Sequence, residues 1–118
     1  MRVLIANPTR FLRDALYELI SEDPGCEVVG EVTDQGALSD AADRLNPDCV
    51  VVAVGDASEP VPVWGEVLAK HPEAKIVAMR PDSNLVEIYW RSGDRHVRHA
   101  FCSASREGIL QALRYPVA

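Results

Sequence analysis

Five short apolar runs punctuate the chain, at residues 3–6, 27–32, 49–54, 76–79 and 97–102, each bounded by Pro, Gly, Asp or Asn. Runs with such borders predict strands, and the most apolar predict strands buried on both faces, as in a parallel sheet covered by helices. Between them, apolar positions recur at helical spacing. Phe11, Leu12, Ala15, Leu16, Leu19 and Ile20 form one stripe, opened by Thr9 and stopped by Pro24-Gly25. Leu38, Ala41, Ala42 and Leu45 form a second, with Asp34 as candidate cap and Asn46-Pro47 as stop. Val63, Val67 and Leu68 make a short third that ends at His71-Pro72. Leu85, Ile88 and Tyr89 predict a fourth helix after Ser83, closed by Gly93. Ile109, Leu110 and Leu113 predict a fifth, capped by Ser105.

Strand and helix therefore alternate five times. Each parallel step requires a right-handed crossover, so the pattern implies helices on both faces of a parallel sheet. The expected fold is α/β and flavodoxin-like: a (βα)5 three-layer sandwich whose parallel five-stranded sheet has the order 2-1-3-4-5. Residues 1–118 are expected to form a single domain. Sites in such sheets lie at the carboxyl ends of the strands, here after Ala6, Val54, Met79 and Cys102.

An apolar fraction of 47% over 118 residues supports a core of ordinary size. The formal charge of −6 argues against direct nucleic-acid binding, which needs a basic footprint. That charge is uneven. Residues 1–60 hold twelve Asp/Glu against four Arg, whereas residues 61–118 hold six against eight Lys/Arg. Such asymmetry accompanies a partner surface or arises incidentally. No apolar stretch reaches membrane-spanning length, and Val3-Leu4-Ile5 is too short for a secretory core, so a cytoplasmic protein without membrane contact is expected. Cys26, Cys49 and Cys102 lack metal-like spacing and predict inert thiols in a reducing compartment.

With the order of elements fixed, the wording of the segments resembles one family. Met1-Arg2-Val3-Leu4-Ile5-Ala6 followed by Phe11-Leu12-Arg13-Asp14-Ala15-Leu16 is similar to the opening of bacterial response-regulator receiver domains, which have a CheY-like fold. Asp23-Pro24-Gly25-Cys26-Glu27-Val28-Val29-Gly30-Glu31-Val32 resembles the second strand of the subfamily joined to helix-turn-helix output domains. Leu45-Asn46-Pro47-Asp48-Cys49-Val50-Val51-Val52 and His71-Pro72-Glu73-Ala74-Lys75-Ile76-Val77-Ala78-Met79 resemble the approaches to the third and fourth strands. Residues 105–113 resemble the final helix. The resemblance covers nearly the whole chain and implies two-component signal transduction.

A working receiver moves a phosphoryl group from a phosphohistidine to its own aspartate, by positioning and charge neutralisation. It needs an oxygen nucleophile, a divalent cation held by acidic residues, a hydroxyl and an ammonium. The resemblance sets Asn7 and Pro8 where the acidic pair belongs, and Ala53 where the nucleophile belongs. It sets Arg80 at the hydroxyl position, Cys102 at the lysine position and His99 at the aromatic switch position. A methyl group cannot attack phosphorus, and Asn7 alone cannot supply the charge that Mg²⁺ prefers. The expectation is a pseudo-receiver, outside the phosphorelay chemistry, with no enzymatic activity, cofactor or metal.

The remaining polar residues support no second site. Asp56 and Glu59 would need a cation and an ammonium to serve as displaced acceptors. His96, His99 and Cys102 alternate along a strand and cannot converge on a metal without a bulge. Arg80 either fills the vacated phosphoryl site and pairs with Asp56 or a loop carbonyl, or extends into solvent. Tyr89, Trp90, Arg91, Arg95, Arg98, Arg106 and Arg114 fall on the fourth helix, fifth strand and fifth helix, the face that receivers use for dimerisation or output contacts. Arg, Tyr and Trp also dominate binding hot spots. A protein partner, an output domain or a homodimer through that face is therefore expected. Two other readings stay open. The chain is the receiver of a longer DNA-binding regulator or ATPase, or it senses a small anionic ligand over Asn7, Ala53 and Arg80.

Overall fold

A computed structural model describes residues 1–118 except 7–9, 34–36, 54–63, 80–84, 92–96, 104 and 116–118. For Ala53, Trp64, Gly65, Glu66, Val97, Arg98 and His99 it describes the backbone alone. The strands are β1 (Arg2–Ala6), β2 (Glu27–Val32), β3 (Cys49–Ala53), β4 (Lys75–Met79), β5 (Leu85–Arg91) and β6 (Val97–Ser103). The helices are α1 (Arg10–Ser21), α2 (Leu38–Leu45), α3 (Trp64–Lys70) and α4 (Arg106–Arg114).

The first four strands take the expected parallel order, β2-β1-β3-β4. The sheet then departs from expectation. Residues 85–91 form a strand where a fourth helix was expected, antiparallel to β4, and β6 pairs antiparallel with β5. The full order is β2-β1-β3-β4-β5-β6, so the sheet is mixed and six-stranded instead of parallel and five-stranded. The sequence of β5 explains this. Val86 and Ile88 are fully buried and Trp90 packs beside them, while Tyr89 packs against the opposite layer. That is alternation of period two in a segment rich in β-branched and aromatic residues. A helical stripe needs Leu85, Ile88 and Tyr89 on one side, yet Leu85 is 46% exposed.

Two apolar layers sandwich the sheet. On one face Val3, Ile5, Cys49, Val51, Val77, Val86 and Ile88 pack with Leu16 and Ile20 of α1 and Ile109, Ala112 and Leu113 of α4. On the other, Leu4, Ala6, Val50, Val52, Ile76 and Ala78 pack with Leu38, Ala41 and Ala42 of α2 and Val67 and Leu68 of α3. Strands β1, β3 and β4 are apolar on both sides because both sides are covered. The stripe expected on α1 is buried only at Leu16 and Ile20, and Phe11 is 78% exposed.

Local chemistry sets the helix ends. Asn46 ends α2 in the left-handed region at φ 49, and its amide donates to the Ala42 carbonyl. Asparagine tolerates that conformation better than most residues. Ser105 caps α4, its Oγ accepting from the Gly108 amide at 3.1 Å. The next constraint is steric, because a Cβ on Gly108 would overlap the Ser103 carbonyl at the end of β6.

Replacing helical glycine with alanine ordinarily gains about 1 kcal/mol. For Gly108→Ala the backbone clash outweighs that gain, and a net loss of about 1–3 kcal/mol is expected in urea denaturation. Gly25→Ala, where a Cβ meets only Asp23 Oδ1 at ordinary contact distance, serves as control. It is expected to stay within about 0.5 kcal/mol of the parent.

Candidate functional site

The carboxyl ends of the central strands lie side by side. Ala6 of β1 pairs with Val52, and Ala53, the last residue of β3, pairs with Met79 of β4. Met79 pairs with Val86, and Val86 with Cys102, so Ala53, Met79, Val86 and Cys102 form one lateral row. Asn7, Pro8 and Arg80 lie outside the described residues, as do Asp56 and Glu59.

The inserted strand changes the scale of this site. Neighbouring strands stand about 4.8 Å apart, so Cys102 lies three spacings, roughly 14 Å, from Ala53. The five-stranded order places the same residue two spacings away. Cys102 is half-buried and packs against the α1/α4 layer. His99 pairs with Tyr89, level with Ile76 and Val50, midway along the strands and on the edge strand β6. His96 lies outside the described residues, and no metal-ligating cluster occurs among the described ones.

The segment expected as the helix anchoring the arginine-rich face is a strand. Tyr89 and Trp90 are adjacent in β5 and pack on opposite faces of the sheet. Trp90 meets Tyr115 with ring centroids 5.4 Å apart. Tyr89 Oη donates to Glu87 Oε2 at 2.5 Å. Arg106 and Arg114 of α4 point to the segment after α1. Arg106 pairs with Glu22, and Arg114 Nε donates to Asp23 Oδ2 at 2.8 Å. Arg91 is half-buried at the end of β5, Arg98 pairs through its backbone with Trp90, and Arg95 lies outside the described residues.

The amino ends of the strands hold a cluster that no sequence pattern singled out. Lys75 opens β4 and is 4% exposed. Its Nζ donates to the carbonyls of Leu113 and, at 3.2 Å, Tyr115. These are the orphan carbonyls at the end of α4, where the helix dipole favours a cation. Burial pushes the Lys75 pKa down, against that stabilisation. The neighbouring Cys49 thiol is pushed up to about 12 by burial and is inert. Asp23 accepts from the Gly25 amide at 2.9 Å and from Arg114, and these bonds, the backbone one first, hold its carboxyl below the usual range. Lys75, Asp23 and Arg114 line an open groove of about 490 Å³ with Met1, Asp48 and Glu73, at the end of the sheet opposite Ala53.

This layered sheet, with its four parallel strands in the order β2-β1-β3-β4, is the flavodoxin-like fold of response-regulator receiver domains. The receiver of CheB from Thermotoga maritima superposes with a TM-score of 0.58 at 21% identity, covering 68% of this chain and 60% of that one. The receiver of RcsB from Salmonella enterica gives 0.61 at 19% identity, covering 71% and 64%. That of NarL from Mycobacterium tuberculosis gives 0.61 at 17%, covering 70% and 67%. In sequence, 54 residues are 41% identical to a protein-glutamate methylesterase/protein-glutamine glutaminase of Xanthomonas campestris. A homologous enzyme of Xanthomonas oryzae is 39% identical over the same length. The matched segment is 46% of this chain and 15% of each enzyme. No family model matches the chain.

The clasp between α4 and the segment after α1 is acid-sensitive. The carboxyl of Asp23 titrates below its ordinary value of 3.8 in the folded protein, so its contribution is complete above that pH. It is lost as pH falls through the lowered value. Asp23→Asn is therefore expected to be less stable than the parent at neutral pH, with the difference closing below about pH 4. Denaturation midpoints measured across that range check this.

Proposed function

We propose that this chain is a receiver-type signalling domain that cannot be phosphorylated and acts through contacts with protein partners. The observation that carries the reading is Ala53, an alanine at the carboxyl end of the central strand β3, where the receiver reaction needs a carboxylate. Phosphoryl transfer to a side chain requires an oxygen nucleophile and charge neutralisation around it. Alanine has no such oxygen, and the residue types Asn7, Pro8 and Arg80 offer no carboxylate for a cation. The strand order adds support, since Cys102 stands one strand further from Ala53 than the five-stranded arrangement places it. Chemistry being unavailable at that end, the surface remains as the means of signalling. The likeness to the methylesterases covers 15% of those enzymes and carries none of their activity to this chain.

A second reading concerns the context of the domain. The chain covers 15% of each methylesterase and 43% of an RcsB chain solved in a study of DNA interaction. That favours a receiver-type unit working as one part of a longer regulator. An antibody against α4 that detects a species larger than 12.9 kDa in the source cells supports this, and one at 12.9 kDa removes it.

The chemical part of the proposal has a direct test. Incubation with acetyl phosphate and Mg²⁺, followed by intact mass measurement, is expected to leave the protein unmodified. Ala53→Asp restores an acceptor without a cation site or an ammonium and is expected to stay unmodified as well. A stable phosphoryl adduct on the parent chain would overturn the proposal.

A further inference from the structure

Among the described residues, Lys75 is the charged side chain buried in the core. Its ammonium carries three donors. Two go to the carbonyls of Leu113 and Tyr115, and no other acceptor or carboxylate among the described residues meets the third. Helix-end carbonyls offer partial charges, whereas a buried cation needs a full counter-ion to offset the loss of its hydration. Burial is the largest influence on this amine, and the groups acting against it are thiols, Cys49 first, then Cys26 and Cys102. The ammonium therefore lacks both an anion and an acceptor for one N–H.

Lys75 and both residues that hold it line the groove at the amino ends of the strands. Its volume of about 490 Å³ lies in the range of small-molecule sites. The other charges around it already have partners. Arg114 Nε donates to Asp23 Oδ2 at 2.8 Å, the Met1 amine donates to the Gly25 carbonyl, and Asp48 Oδ2 accepts from the Arg2 amide at 2.9 Å. Glu73 is exposed. Charge and shape together select the occupant. One negative charge completes Lys75, whereas a multiply charged anion meets repulsion from Asp48 and Glu73. Cys26, Leu113 and Tyr115, which belong to the apolar layer between α1 and α4, supply an apolar wall.

We propose that this groove binds a small monocarboxylic acid. The carboxylate accepts the third N–H of Lys75, and a short apolar body lies along Cys26, Leu113 and Tyr115. The bonds from Lys75 to the end of α4 stay in place, so the ligand is tied to the last helix through one ammonium. The site lies at the end of the sheet opposite Ala53 and goes beyond the function proposed above. It is independent of whether the domain accepts phosphate.

Butyrate is the probe, titrated at constant ionic strength while amide NMR shifts are followed, with inorganic phosphate as the comparison anion. Butyrate is expected to give saturable shifts at Cys26, Lys75, Arg114 and Tyr115, with a dissociation constant on the order of millimolar. Phosphate at the same concentrations is expected to leave those amides in place. Lys75→Met, checked for folding by shift dispersion, is expected to bind butyrate roughly tenfold more weakly. Glu73→Gln removes a like charge at an exposed position and is expected to tighten binding roughly twofold, which keeps the test open if Lys75→Met fails to fold. Absence of saturable shifts overturns the proposal, as do equal responses to butyrate and phosphate. Parent affinity in a folded Lys75→Met, unchanged or weaker affinity in Glu73→Gln, or shifts centred on Ala53 and Met79 overturn it as well.

Discussion

The antiparallel pairing of β5 with β4 determines the layout of everything after residue 79. A parallel step needs a crossover of roughly a dozen residues or more, usually through a helix. Met79 and Leu85 are separated by residues 80–84 alone, and Arg91 and Val97 by residues 92–96. Links that short permit reversal, not crossover. Burial of Val86 and Ile88 then holds the turned-back strand, contributing roughly 1.5–3 kcal/mol for each side chain. Because β5 occupies the place beside β4, β6 moves one position outward. Cys102 moves with it, and among the described side chains Tyr89 and Trp90 lie on opposite faces of the sheet while Arg106 and Arg114 reach the segment after α1.

The packing of α4 depends on the same displacement. The helix covers β5 and β6 from the α1 side, with Gly108 tight against the end of β6 and Leu113 in the core. Its far end is held by the buried Lys75 ammonium on the carbonyls of Leu113 and Tyr115, and its outer side by Arg106 and Arg114 on Glu22 and Asp23. The exposed Arg106–Glu22 pair contributes little. The Asp23 pair differs because Asp23 is only 10% exposed and also accepts from a backbone amide. Arg106 and Arg114 thus fasten the last helix to the segment that follows α1.

Much of this was legible in the sequence. The apolar runs at β1, β3 and β4 are continuous because both faces are covered, and that continuity separates parallel strands from half-buried ones. The stops at Pro24-Gly25 and Asn46-Pro47 and the cap at Ser105 act locally and hold in the structure. The β5 segment was misread because Leu85, Ile88 and Tyr89 satisfy helical spacing while Val86, Ile88 and Trp90 satisfy strand alternation, and a short window cannot choose between them. The deciding quantity was the length of the links on either side. That residue 53 offers no oxygen nucleophile follows from residue type alone, since no neighbour turns a methyl group into a nucleophile. The distance to Cys102 could not, because it depends on strand order. Lys75 gave no signal, for its partners are backbone carbonyls of a helix 38 and 40 residues away.

On the proposed reading, the alanine that ends β3 and the hairpin of β5 and β6 are physically one arrangement viewed from two ends. A site that binds a phosphoryl group constrains the strand beside β4, since the group completing it must reach the end of β3. Under the function proposed for this chain, alanine at the end of β3 lifts that constraint, and a hairpin occupies the position beside β4 at no chemical cost. The hairpin in turn carries the last strand to the margin of the sheet, away from the acidic half of the molecule.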